Sequence, residues 1–456
     1  MKKKSIVSML VAFYLAFGVL FSSVSAKIQS EQAFDNKIVK RLKVNNIFNH
    51  IEALSKEPRV AGTEAEWKAV QYIKRQFDSY GYESELQPFT FIEYKAPTKV
   101  SVNVNGDTVA AAPFTYTPNG DVNGELDYIG LGTPDDIKGK DLTNKIALIK
   151  RGEITFGEKV INAANAGAKA VIIFNHLSGE LNGTLGNVDN RFVPTIAMTK
   201  EQGDILVEKL NSGDVLSASI TIAGSVIEEK KSHNVIAKKD VTHKQKDTNQ
   251  VIVIGAHYDF VPTSPGANDD ASGTAVTLEL ARVLAKVPTD TEIHFITFGA
   301  EELGLIGSNK YVDSLTDVEI DRIVGMFQLD MVGSKDAGEL VMFTVDGEKN
   351  LVTDLSAAAG VRTGTPLTYG QEGRSDHVPF YYAGIPAALF IHSPTEPWYH
   401  TPEDSLDKIS KEKLLETAKI VGSAAYQIAR PDTPALERAK VAPKEVDYEK
   451  MTGGLK

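Results

Sequence analysis

The 456-residue sequence contains no cysteine and only two tryptophans. Without thiols there is no disulfide framework, no thiolate nucleophile and no cysteine-held metal, so any metal site must be built from His, Asp and Glu. Long apolar runs are equally scarce. The one candidate, residues 6–21, is shorter than the roughly 20 residues a spanning helix needs, and Ser22-Ser23 follow it directly. Three lysines precede it and Val24-Ser25-Ala26 follow, the pattern of a secretory signal cleaved after Ala26, so no stable membrane anchor is expected. Basic charge is the third deficit. The chain carries 49 Lys and Arg against 60 Asp and Glu, a formal charge of −11; losing the three signal lysines leaves 46 against 60, or −14. An acidic exported chain is a poor partner for nucleic acid.

What is present suggests more than one unit, because the length exceeds an average domain. Residues 27–43 are polar and read as a loose leader or propeptide. Apolar residues at three- and four-residue spacing then predict helices over 44–55 and 64–80, joined by Pro58-Arg59-Val60-Ala61-Gly62-Thr63. Near Lys95-Ala96-Pro97 the texture changes to short alternating strands and Gly/Asn turns, which marks an insert over 96–231. Within it, strands over 145–149 and 170–174 flank a helix over 156–166, a βαβ step. From Ser232 the first unit resumes as alternating strands (251–256, 292–298, 323–329) and helices (273–286 among them), the pattern of an α/β sheet, and runs to residue 430. Residues 431–456 are a polar tail.

Each of those strands ends in acidic or imidazole groups, and ligand sites in open α/β sheets gather at such carboxyl ends. The first is followed by His257 and Asp259, two residues apart on one face, so that Asp259 can orient the His257 ring and fix which nitrogen is free for a cation. Asn268-Asp269-Asp270-Ala271-Ser272-Gly273 comes next, then Glu301-Glu302 after the second strand, Asp330 at the end of the third, and Tyr399-His400 later. Two imidazoles, two aspartates and one glutamate make a ligand inventory for two metals sharing a carboxylate, with a second glutamate left over. Adjacent strand residues point to opposite faces, so Glu301 and Glu302 both reach one site only if the backbone turns between Gly299 and Gly304.

This ordered set resembles the secreted bacterial co-catalytic, double-zinc aminopeptidase family over residues 44–95 and 232–430. The insert resembles the protease-associated domain through Lys145-Ile146-Ala147-Leu148-Ile149-Lys150-Arg151-Gly152, Ala166-Gly167-Ala168-Lys169-Ala170 and Val193-Pro194-Thr195-Ile196-Ala197. The resemblance implies a zinc-exopeptidase-like mixed sheet flanked by helices, with a mainly-β insert serving as a lid or substrate-access module. It also implies two zinc ions per chain, with Asp269 bridging, His257 and Asp330 completing one site, and Glu302 and His400 the other. Glu301 would be the general base, and Tyr399 the oxyanion donor with Arg374 as a weaker candidate. A cis peptide is implied at Asp269-Asp270. The substrates would be peptides with a free N-terminus and a leucine-like or basic first residue. Glu301 and Asp330 are possible partners for the α-ammonium.

Taken singly these motifs decide little: His-x-Asp is common, and an Asp after a strand is often a helix cap. Two other readings stay open. A carboxypeptidase of the same clan would need a basic anchor for the terminal carboxylate, and a non-catalytic binding protein on the peptidase fold would be expected to have lost ligands. Among the remaining histidines, His50, His176, His233 and His243 are expected at the surface or in loops. His294 is expected to be structural, and His377 and His392 lie near the proposed site in sequence.

Overall fold

The structure is a computed structural model that describes residues 31–437 and 440–444. The signal segment, residues 1–26, lies outside those residues. Among the described residues no helix is long and apolar enough to cross a membrane. The chain divides into two compact units, one of the residues up to Phe89 with those from Lys231 onward, the other Thr90–Lys230.

The first unit is built on eight strands: β1 (Ser84–Lys95), β2 (Val226–Lys239), β3 (Val251–His257), β4 (Glu292–Phe298), β5 (Ile323–Leu329), β6 (Glu339–Thr344), β7 (Thr368–Gln371) and β8 (Ala387–Ser393). They lie in the order β1-β2-β4-β3-β5-β8-β6-β7. The central four, β4, β3, β5 and β8, are mutually parallel, while β2 and β6 run antiparallel to β4 and β8. Parallel strands covered on both faces should be apolar throughout, and β3 is buried at every residue. Its side chains alternate. Ile252, Ile254 and Ala256 enter the main core, and Val251 and Val253 enter a second core with Tyr311 and Phe380 on the other face.

The main core is covered by α1 (Val44–Leu54), α2 (Glu64–Tyr80), α3 (Ala271–Leu284) and α4 (Lys411–Ala429), with α3 packed against the other three. Every residue of α3 except Arg282 is buried. β4 lies beside β3 on one side, and the chain then crosses to place β5 on the other. The order therefore reverses at β3, which opens a crevice at the carboxyl ends of β3, β4 and β5.

The second unit carries its own eight-stranded sheet. The strands Ile146–Lys150 and Ala170–Phe174 are parallel, joined through the helix Phe156–Asn165. That helix opens with a capping box between Thr155 and Glu158.

Two expectations are corrected, for residues 31–39 and for His50, and part of the tail is placed. Residues 31–39 are helical rather than a loose leader, with Ile38 fully buried and Asp35 paired to Arg362 at 2.6 Å. One buried isoleucine in a polar segment leaves too little periodicity to read. Described residues of the tail contact the first unit: Leu436 and Gln250 exchange two hydrogen bonds, and Lys444 N–H donates to the Tyr381 hydroxyl. Such backbone pairing has no side-chain pattern. His50 is buried rather than exposed, its ring between the hydroxyls of Tyr72 (2.7 Å) and Tyr80 (3.1 Å).

Burial pushes His50 down to about 4. Its folded pKa lies below the ordinary imidazole value, so its contribution is full above pH 6.5 and is lost as pH falls toward 4. His50→Gln keeps a donor and an acceptor but does not titrate. Between pH 7 and 4.5 the variant should therefore gain on the wild type by up to about 2 kcal/mol in urea unfolding, whereas parallel pH curves would refute it.

Candidate metal centre

Five chain segments bring the chemistry together at the carboxyl ends of the central strands. β3 delivers His257, and the loop into α3 delivers Asp269, 3% exposed. Asp330 follows β5 directly, and Glu301 and Glu302 follow β4. His400 comes from the irregular stretch after β8. The peptide bond between Asp269 and Asp270 is cis.

The two carboxylate oxygens of Asp269 face different partners. Oδ1 lies 3.2 Å from His257 Nε2, which is itself 3.6 Å from Asp330 Oδ1. Oδ2 lies 3.3 Å from His400 Nε2, which is 3.2 Å from Glu302 Oε2. The result is two donor sets, His257-Asp269-Asp330 and Asp269-Glu302-His400, with the donor atoms of each within 4.8 Å of one another. Asp330 Oδ1, Glu302 Oε1 and His400 Nε2 are buried polar atoms without a hydrogen-bond partner. Orphans of that kind carry a desolvation cost that a cation removes. The donor set therefore fits metal: oxygen and nitrogen donors, convergent and partly unsatisfied.

The electrostatics agree. Around these donors the buried carboxyls of Asp259, Asp270, Asp376, Glu396 and Asp404 add further negative charge. The fully buried Arg59 faces Asp404, Asp259, Asp269 and Asp270. Burial first, then neighbouring carboxylates, push Glu302 and Asp376 up to about 7, Asp269 and Asp259 acting on Glu302 and Asp259 and Asp330 on Asp376. Glu301 is raised by burial and then by Asp376 and Asp330, with His257 opposing. Burial works against a charge on His400, but Asp269 and Glu302 outweigh it and lift the ring to about 10.

Supporting contacts fix these groups. Asp259 stands 3.8 Å from His257 Nδ1, beyond a hydrogen bond; instead its oxygens accept the backbone N–H groups of Glu301 (3.0 Å) and Glu302 (3.4 Å). Asp259 thus positions the glutamate pair more directly than it positions the imidazole. The turn that lets both glutamates reach the site is made at Ala300, with φ 56°, and Gly304, with φ 102°. Gly299 serves a different purpose: a Cβ there would sit 2.5 Å from Ser232 Oγ and 2.6 Å from the Tyr258 hydroxyl. Ser375 Oγ donates to Asp330 Oδ2 at 2.8 Å, turning Oδ1 toward His257. Asp270 caps α3 and accepts N–H bonds from His257 and Met331, so it ties the β3 and β5 ends together.

Tyr399 stacks on the His400 ring at 3.8 Å between centroids. Its hydroxyl is held neutral, raised by burial and then by Asp269 and Glu302. Arg374 is placed less centrally: its side chain is 40% exposed and Nε lies 3.4 Å from Glu372. His294 is bonded to Glu292 and Tyr311. His377 is buried with Nε2 against the Glu372 carbonyl, and neither it nor His392 is in a donor set.

Arg59, Glu396 and Asp404 carry no motif that marks them in the sequence. Arg59 donates to the carbonyls of Leu54, Tyr258, Pro265 and Gly266, stapling the α1–α2 connection to the loop that carries Asp269. A lone arginine between a proline and a small-residue turn was the available signal. For Glu396 and Asp404 it was their spacing, four residues either side of His400.

The sequence profile of peptidase family M28 matches residues 234–425, and that of the PA domain matches residues 104–206. Aminopeptidase YwaD of Bacillus subtilis is 37% identical over 444 residues, covering 94% of this chain and 95% of the relative. Among solved structures, the aminopeptidase from Aneurinibacillus sp. strain AM-1 is 57% identical with a TM-score of 0.73, covering 91% of this chain and 99% of that one. The Bacillus subtilis zinc aminopeptidase BSAP is 36% identical with a TM-score of 0.60, covering 86% and 97%.

Proposed function

Because the chain belongs to peptidase family M28 and is a zinc-dependent metallo-aminopeptidase with a PA domain, we propose that it holds two zinc ions and removes N-terminal residues from peptides outside the cell. One observation carries the two-ion reading. The two oxygens of Asp269 face separate donor sets, with His257 and Asp330 on one side and Glu302 and His400 on the other. When bound, zinc supplies Lewis acidity toward the scissile carbonyl and lowers the pKa of a shared water.

The chain's own residues supply the rest. Glu301, 9% exposed and anchored through its backbone N–H to Asp259, takes the proton of the attacking water and passes it to the departing amine. The neutral Tyr399 hydroxyl donates to the oxygen that becomes negative in the tetrahedral intermediate, and Arg374 is the weaker donor for that oxygen. Glu301 and Asp330 offer negative charge to a free α-ammonium. Met331, beside Asp330, packs with Val341, Phe343, Leu389 and Ile391 against Tyr399. This buried apolar cluster beside the donors is the reason to propose a leucine-like first residue over a basic one. The signal pattern of residues 1–26 supports export.

Aminoacyl-p-nitroanilide assays combined with metal analysis test the reading: two zinc ions per chain and faster release from leucyl than from lysyl substrate are expected. N-acetyl-leucyl peptides should be cleaved at least about a hundredfold more slowly than free ones, because the desolvated ammonium partner is gone. Equal rates would remove the aminopeptidase assignment of the ammonium partners, and trimming from the other end in a timed digest would point to a carboxypeptidase.

A further inference from the structure

The two donor sets are not built alike. His257 and Asp330 stand at strand ends and are buried, whereas the His400 side chain is 32% exposed. His400 comes from residues 394–410, whose regular structure is limited to the short turn Leu406–Lys408. Its Nε2 nevertheless lies within 3.3 Å of both Asp269 and Glu302. An irregular loop holds such spacing only if it is tethered close to the ligand.

The tethers are two carboxyl side chains placed symmetrically about His400. Glu396, four residues before it and 3% exposed, accepts from Asn268 Nδ2 at 2.7 Å. Asp404, four residues after it and fully buried, accepts the backbone N–H of Asn268 at 2.7 Å on one oxygen and that of Asp269 at 3.1 Å on the other. The Asp404 carbonyl also receives Ala267 N–H at 3.4 Å. Asn268 spends its side-chain oxygen on Gly333 N–H at 2.8 Å, which links the segment after Asp330 to the same point. Both ends of the His400 loop are therefore fastened to the residue before the shared carboxylate, or to that carboxylate's own amide. Among the described residues neither Glu396 nor Asp404 forms a direct salt bridge, and Arg59 acts on Asp404 only from farther off. Burying two carboxyls without a salt bridge is costly, and the hydrogen bonds to residues 268 and 269 are what they obtain in return.

We propose that Glu396 and Asp404 are positioning residues that pin the His400 loop to Asn268 and Asp269, and thereby set how tightly the cation of the Glu302–His400 side is held relative to the cation of the His257–Asp330 side. This rests on the two-ion reading above. Asp404→Asn replaces one acceptor oxygen by an NH2 group that cannot receive a backbone N–H, so one pin is lost. Glu396→Ala removes the other. Glu396→Gln retains an acceptor for Asn268 and is the conservative control.

The zinc-loaded full chain is dialysed against a graded series of a soluble chelator, and metal per chain is counted by mass spectrometry. Thermal unfolding of the loaded and of the fully stripped protein is recorded in parallel. Wild type should hold two ions. Glu396→Ala and Asp404→Asn should release one of them at a chelator concentration about tenfold lower, with the other leaving where it does in wild type, and Glu396→Gln should follow wild type. The stripped variants should fall below stripped wild type only by what the lost hydrogen bond contributes, and by less than the loaded variants fall below loaded wild type. Release of both ions together, an unchanged profile in both variants, or a loss of stability in the stripped forms as large as in the loaded ones would overturn the proposal. If one variant fails to fold, the other decides. A wild type that holds fewer than two ions would instead refute the two-ion reading itself.

Discussion

Glu301→Gln should lower kcat by about 10²–10⁴-fold while leaving the protein folded and its metal content unchanged. The substitution preserves shape and the backbone N–H that Asp259 holds at 3.0 Å, so the turn through Ala300 and Gly304 has no reason to move. Glu301 belongs to neither donor set. What changes is the capacity to take a proton. Burial and the facing carboxylates of Asp376 and Asp330 raise the proton affinity of Glu301, which suits a group that must accept a proton from water and then surrender it to an amine. An amide can do neither. The adjacent Glu302→Gln should behave differently: it faces His400 at 3.2 Å within a donor set, so its loss should show in metal content. Steady-state kinetics on a leucyl anilide, with metal counted on the same sample, separates the two. Unchanged hydrolysis by a fully loaded Glu301→Gln protein would remove Glu301 from the role of base.

The contrast between these neighbours also shows what the sequence can and cannot convey. The β-branched runs of β3, β4 and β5 were legible because buried parallel strands have few alternatives, and each run ended on a chemical group. The donor inventory was legible because Asp, Glu and His at strand ends have few other uses in such number. The direction in which the strand turned to present both glutamates was not. Glycines were the natural expectation, and Gly304 does take a positive φ, yet the other left-handed residue is Ala300, and Gly299 is required for close approach to Ser232 and Tyr258. Nor could the chain before folding reveal that Asp259, 3.8 Å from the His257 ring, would also bind two amides. The same holds for Arg59, which meets carbonyls some 200 residues away, and for His50, which becomes a buried bridge between two tyrosines. Single polar residues choose their partners only once the loops are assembled, and no periodicity announces them.

Stripping the cations should lower the unfolding temperature, and the gap between loaded and stripped protein should widen as pH rises from 5 to 8. The stripped centre leaves the carboxylates of Asp269, Asp330, Glu302 and their buried neighbours facing one guanidinium, Arg59. Burial first, and neighbouring carboxylates second, push Glu302, Asp376 and Glu396 up to about 7 and Asp404 up to about 6. These folded values lie above the ordinary carboxyl range of the unfolded chain. The stability such groups contribute is therefore full below about pH 4 and is lost as pH climbs through 6 to 7. Cation binding acts in the opposite sense, because it needs ionised carboxylates and neutral imidazoles, and the His400 ring sits at about 10 until a cation displaces its proton. A cation present at a hundredfold over its dissociation constant adds about 3 kcal/mol, and protons erode that affinity at pH 5. The buried imidazole of His50 titrates alike in both forms and cancels in the difference. Asp269→Asn should collapse the gap across the whole range, since both donor sets lose their shared charge, whereas Asp330→Asn should remove about one ion's share. A scanning melt at each pH, with and without chelator, measures this. A gap that is flat or largest at pH 5 would mean that these carboxylates do not meet around a metal.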